Sequence, residues 1–139
     1  MEMMLLHIEE PDNTGGVLYV TVGDTAFPED GWYDLVHIDL QNWLPGLLSF
    51  ARGHADSCTL QFMDAPAAVR LTRQNGVVCA VCLCDHKPQI AQTEIDFPAF
   101  LDSVAKCLRR YNRVMHQQGK PASFEAELSA IRDILKNQP

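Results

Sequence analysis

The chain is predicted to be α+β: a mostly antiparallel sheet of five to six strands with helices packed on one face. Three observations carry that expectation. Asn75-Gly76 joins two apolar runs, Ala67–Gln74 and Val77–Cys84, and is the strongest short hairpin signal present. Other strand-like segments also follow one another through short turns, which favours antiparallel pairing. Beyond Asp96 the period changes: Phe97, Leu101, Val104, Leu108, Tyr111 and Met115 recur at three and four residues, a helical stripe. The resulting order is β-β-β-α-β-β-(β)-α-α.

Met3–Ile8 reads as the first strand, with Met4, Leu6 and Ile8 on one face. Pro11–Gly16 is a turn cluster, and Val17–Val22 alternates as the returning arm of a hairpin. Asp24–Gly31 is a loop of acids and breakers. Trp32–Leu40 is read as the third strand, with Asp34 on the face of Trp32, Val36, Ile38 and Leu40, and His37 and Asp39 on the other. Asn42 then caps a helix whose first turn tolerates Pro45 and whose buried stripe is Trp43, Leu44, Leu47, Leu48 and Ala51. Ser57–Met63 alternates again. A two-residue turn at Asn75-Gly76 pairs Gln74 with Val77, Thr72 with Cys79 and Arg70 with Val81. That register leaves Val77, Cys79, Val81 and Leu83 facing away from Val69 and Leu71. Strands apolar on both faces are usually covered on both sides, so coverage is expected; an open face filled by a partner is the alternative. Ile90–Ile95 is a short edge strand, Asp96 caps the helix from about Phe97 to His116, and Ser123 caps a last helix with Phe124, Leu128, Ile131 and Leu135 inward.

The 139 residues suit one domain, residues 1–139, with a single core. No apolar run approaches the roughly 20 residues of a membrane span. The start, with Glu2 and no basic segment, does not read as a secretory signal. A cytoplasmic location and no membrane partner follow as expectations. Five cysteines, an odd number set mostly in strand-like stretches, read as reduced packed thiols.

Charge is distributed unevenly. Met1–Asp64 holds eleven Asp/Glu and one base, Arg52, a balance of −10; Ala65–Pro139 balances at +3, which gives the net −7. This argues against a nucleic-acid footprint in the first half and suits a basic protein partner. The candidate contact residues are Glu29, Asp30, Trp32, Asp34, Asp39, Asp56 and Asp64, acids with an aromatic among them, the ingredients of a steered interface with a hot spot.

Signals of chemistry are weak by comparison. In Cys79-Ala80-Val81-Cys82-Leu83-Cys84, strand alternation sends Cys79 to one face and Cys82 and Cys84 to the other, away from a common tetrahedral ion. His86 beside Asp85 lacks further ligands. His37 and Asp39 share a strand face and suit general-base or metal-dependent chemistry, yet no nucleophile accompanies them. Gly15-Gly16 and Gly23 lack phosphate-loop spacing. Lys106, Arg109, Arg110 and Arg113 form a basic helical stripe without interleaved exposed aromatics, a poor nucleic-acid signature. Neither a catalytic residue nor a cofactor or metal ligand is assigned.

The runs Phe27-Pro28-Glu29-Asp30-Gly31-Trp32-Tyr33-Asp34, Trp43-Leu44 with Leu47-Leu48, Phe62-Met63-Asp64-Ala65-Pro66 and Val69-Arg70-Leu71 resemble a group of small acidic bacterial α+β proteins of uncharacterised role. That group is similar to the immunity proteins encoded beside polymorphic or contact-dependent toxins. The resemblance implies a non-enzymatic inhibitor of one cognate toxin domain, often a basic nuclease occluded by an acidic face. A small metal-dependent enzyme using His37 and Asp39, or a structural subunit that self-associates as a homodimer, are the alternatives.

Overall fold

The computed structural model describes residues 1–120 and 124–138. In chain order its elements are β1 (Met4–Glu9), β2 (Gly16–Val22), β3 (Thr25–Phe27), β4 (Tyr33–Asp34), α1 (Val36–Ala51), β5 (Ser57–Gln61), β6 (Ala67–Gln74), β7 (Val77–Cys84), β8 (Lys87–Glu94), α2 (Phe97–Gln117) and α3 (Glu125–Lys136). The class is α+β, but the single sheet of five to six strands is replaced by two antiparallel sheets of four. In the first, β1, β2 and β3 are neighbours and β4 also pairs with β2; the second runs β5-β6-β7-β8. One parallel bridge, Glu2 to Ile95, joins them.

The second sheet follows its turn chemistry. Asn75 and Gly76 both take positive φ, 54° and 77°, and the register pairs Gln74 with Val77, Thr72 with Cys79 and Arg70 with Val81, as expected. Val69, Leu71, Ala80 and Cys82 are buried on the inner face. The outer face departs from expectation. Val77 is 36% exposed and Cys79, Val81 and Leu83 are half-buried, because the helices gather on the inner apolar stripe and leave this side to solvent.

The larger correction is at Trp32–Leu40. Only Tyr33 and Asp34 are strand, and α1 begins at Val36. The buried positions are Val36, Asp39, Leu40, Trp43, Leu44, Leu47 and Phe50, a spacing of three and four interrupted only by an acid. That acid hides the helical period and leaves Val36, Ile38 and Leu40 to read as alternation. Asn42 is mid-helix rather than a cap. Pro45 lies on the exposed side, where the carbonyl it leaves unpaired meets water.

The remaining elements close one core. Asp96 caps α2 by accepting from the Ala99 amide at 3.0 Å, and Gly119 takes a φ of 74° just past its end. In α3, Leu128 and Ile131 are buried, with Phe124 just before it. Ser123 lies outside the described residues. The free edge of β1 is covered by α2: Ser103 Oγ accepts from the Leu6 amide at 2.9 Å, and the Cys107 thiol and Arg110 guanidinium donate to the Leu6 and Ile8 carbonyls, each at 3.3 Å.

Candidate functional site

Three segments distant in sequence meet where β4 runs into α1, and two carboxyl groups hold them together. Asp34 and Asp39 are both fully buried. Asp34 Oδ2 accepts from the Trp32 indole at 2.8 Å and from the Asp64 amide at 3.2 Å, and its Oδ1 accepts from the Leu35 amide at 2.7 Å. Asp39 Oδ1 accepts from the Met63 amide at 3.0 Å. The pair therefore fastens the β3–β4 loop and the start of α1 to the turn after β5. Buried position and helix N-terminus agree here, since that end of α1 favours a negative group.

Asp39 Oδ2 is buried with no N–H or O–H directed at it. Beside it is the Asp34 carboxylate, and two unprotonated oxygens cannot bond. Protonation resolves this: burial first, then the hydrogen bond to Asp34 and its charge, push the Asp39 acid up to about 9 against the pull of the Met63 amide. At neutral pH Asp39 is thus a carboxylic acid that donates to Asp34. Burial raises Asp34 too, but the bonds from Asp39, Trp32, Leu35 and Asp64 outweigh it and hold Asp34 below its ordinary 3.8.

Two of the expected contact residues, Asp34 and Asp39, are thereby removed from the surface. Asp34 keeps its charge because several donors converge on it, whereas Asp39 is accommodated by holding its proton. Trp32 is half-buried over the same cluster. Glu29 and Asp30 are exposed in the β3–β4 loop, and Asp64 is exposed in the turn after β5. These two loops are neighbours, since Phe27 and Phe62 meet edge to face at 6.1 Å. Asp56 is also exposed but lies at the opposite end of β5, about 16 Å away by strand length.

The structure adds residues that the sequence reading passed over. Ile38 and Met63 are 39% and 49% exposed. Asn42, one turn beyond Ile38, approaches the Met63 sulfur at 3.9 Å, so the two apolar side chains flank one patch over the hub. Tyr33, 54% exposed, runs back over Gly15, where a Cβ would come within 2.7 Å of its hydroxyl. That close approach explains the glycine. Glu9 and Asp30 stand against the Tyr19 hydroxyl, and burial together with these carboxylates raises its pKa. The helical reading of residues 36–50 is the signal for Ile38: it falls off the buried stripe.

The chemical candidates are dispersed. On a helix, His37 and Asp39 point to different sides rather than sharing a strand face. His37 Nδ1 is 3.0 Å from the Tyr111 hydroxyl, with its ring 5.2 Å from that of Phe124, whereas Asp39 turns into the hub. His86 sits in the β7–β8 turn at a φ of 65°. All five cysteines are free; burial pushes Cys58 and Cys107 up to about 11 and Cys82 to about 12, where the thiol is a poor nucleophile. Among the described residues no three His, Cys, Asp or Glu side chains converge as a metal site, and no helix is long and apolar enough to cross a membrane. The chain matches no family model, no curated protein and no solved structure in the three comparisons made.

Proposed function

We propose that this chain is a non-enzymatic binding protein, an immunity-type inhibitor that neutralises a basic, nuclease-like toxin domain. The observation that carries the reading is the patch around the buried carboxyl pair: Ile38 and Met63 exposed together, Asp64 beside Met63, and Glu29 and Asp30 on the adjoining loop. Apolar anchors ringed by carboxylates combine a desolvated centre with a charged rim. The rim steers a cationic partner, and the hub holds the loops in place beforehand, which lowers the ordering cost of association. Among the described residues the ion pair present is Lys106 with Asp102, within α2, so these rim acids are not engaged with cations of the chain itself.

The test is association with a basic toxin-type domain encoded by a neighbouring gene, followed by stopped flow at low salt. Reversing Glu29, Asp30 and Asp64 together to Lys is expected to slow association about tenfold or more without lowering the melting temperature. A rate indifferent to both salt and reversal, or no complex at all, overturns the reading. The open outer face of β7 favours self-association as a second reading, for which light scattering of the free chain is the measurement.

A further inference from the structure

We propose that two copies of this chain pack through the outer face of the β5–β8 sheet, as an isologous dimer whose two-fold axis runs roughly along β7. This surface deepens the self-association reading and rests on it, not on the inhibitor reading. The strand registers lay out the face. Ser57, Thr72, Cys79 and Glu94 stand side by side across the four strands. Arg70 and Val81 are neighbours in the next row, and Ala68, Leu83 and Pro88 share the one after. The register shifts of β8 fall between the Cys79–Glu94 and Leu83–Pro88 pairings, so both outer rows are fixed. Along the middle run Cys79, Val81 and Leu83, an apolar seam that the helices, packed on the other face, leave half-exposed.

Charge selects a second copy as the occupant. Two chains of net −7 repel one another, but this face carries one exposed cation, Arg70 on β6, and one exposed anion, Glu94 on β8. β7 separates the two, and among the described residues neither is in an ion pair. A half-turn about an in-plane axis along β7 sets β7 on β7 and β6 on β8 of the other copy. Arg70 then stands one row, about 7 Å along the strand, from Glu94 of the second copy, and the contact occurs twice. An axis across the strands would stack β6 on β6 and β8 on β8, bringing like charges together. The arrangement of charge thus fixes the symmetry.

Shape and area agree with it. The same rotation brings the exposed Pro88 over Ala68, where a hollow of about 210 Å³ opens among Thr59, Gln61, Ala68, Arg70 and Leu83. Four strands at about 4.8 Å and eight residues at about 3.3 Å make a face of about 500 Å² on each copy. The total of about 1,000 Å² is the low end for a specific interface, so the dimer is a reversible one. Sheets packed in this way lie about 10 Å apart with their strands within about 30° of each other.

The experiment is sedimentation equilibrium of the full chain, whose mass should rise from 15.6 kDa toward twice that between about 10 µM and about 1 mM. Arg70→Glu and Glu94→Arg should each weaken dimerisation about tenfold or more. The two together should restore it to within about threefold, because the swap keeps opposite charges facing. Val81→Lys in the seam should abolish it, with the melting temperature of the dilute chain showing that the fold is kept. Cys79 of one copy lies about 10 Å from Cys79 of the other, so in a Cys84→Ser chain a short bismaleimide should link the two. A monomer at about 1 mM overturns both this surface and the self-association reading. A dimer indifferent to Arg70→Glu and Val81→Lys leaves self-association standing and overturns this surface alone. A double reversal as weak as the single ones, or no link through Cys79, does the same.

Discussion

Around β6 and β7 the centre of the inner face is apolar, with Val69, Leu71, Ala80 and Cys82 stacked in register, whereas the interior where β4 meets α1 holds two carboxyl groups, Asp34 and Asp39. The named side chains are buried in both places, yet they are held by different forces. Apolar burial is strong and indifferent to direction, so the second sheet is stabilised by area and shape. The carboxyl pair is satisfied in one arrangement only, with four donors from three segments converging on it. Such a cluster specifies position more than it adds net stability. That difference accounts for where the exposed patch sits: loops carrying Glu29, Asp30, Met63 and Asp64 are fixed by directional bonds beneath them.

The comparison breaks most severely at Asp34. Asp34→Ala leaves the Trp32 indole and the Leu35 and Asp64 amides without their acceptor, and we expect a loss of about 3–5 kcal/mol in urea unfolding. Leu71→Ala in the second sheet should cost about 2–5 kcal/mol through its cavity, but with the amide spectrum of residues 29–39 and 62–65 unchanged. Asp34→Ala should shift those signals. If both variants disturb the same residues, the two regions are not held independently.

Titration sharpens the contrast. In the unfolded chain Asp39 ionises near 3.8, and in the fold near 9, so folding takes up a proton between those limits. Stability should therefore fall as pH rises from about 4 to about 9, by at most about 1.4 kcal/mol per pH unit for one proton, and level off above. Asp34 acts oppositely: its stabilisation is complete above its unfolded value and is lost as pH falls through its lowered folded value. Asp39→Asn keeps a donor toward Asp34 and an acceptor for the Met63 amide, and should flatten the alkaline decline seen in urea titrations from pH 5 to 9. The smallest effect is expected on the outer face of the second sheet, where Val77→Thr should change stability by no more than about 0.5 kcal/mol in the same assay.

Much of the fold was legible because its signals are local. Asn75-Gly76 set the β6–β7 register to the residue, Asp96 announced α2, and Phe97 to Met115 kept their helical period. Trp32–Leu40 misled for a physical reason. A carboxyl group at a core position broke the period of α1, and acids are ordinarily exposed, so Asp34 and Asp39 read as surface. The donors from beyond α1, the Met63 and Asp64 amides, lie 24 and 30 residues after the acids they reach. Ile38 and Met63 were passed over because an apolar side chain gives no local sign of being left outside.

Sequence alone determined the class, the β6–β7 register, the long helix and the lopsided charge, since each depends on neighbours a few residues apart or on simple composition. Tertiary structure decided which acids are surface and which are buried, how the strands divide into two sheets, and which sheet face stays open. Those outcomes depend on partners brought together only by folding, and a carboxyl group's state is set by the donors that surround it.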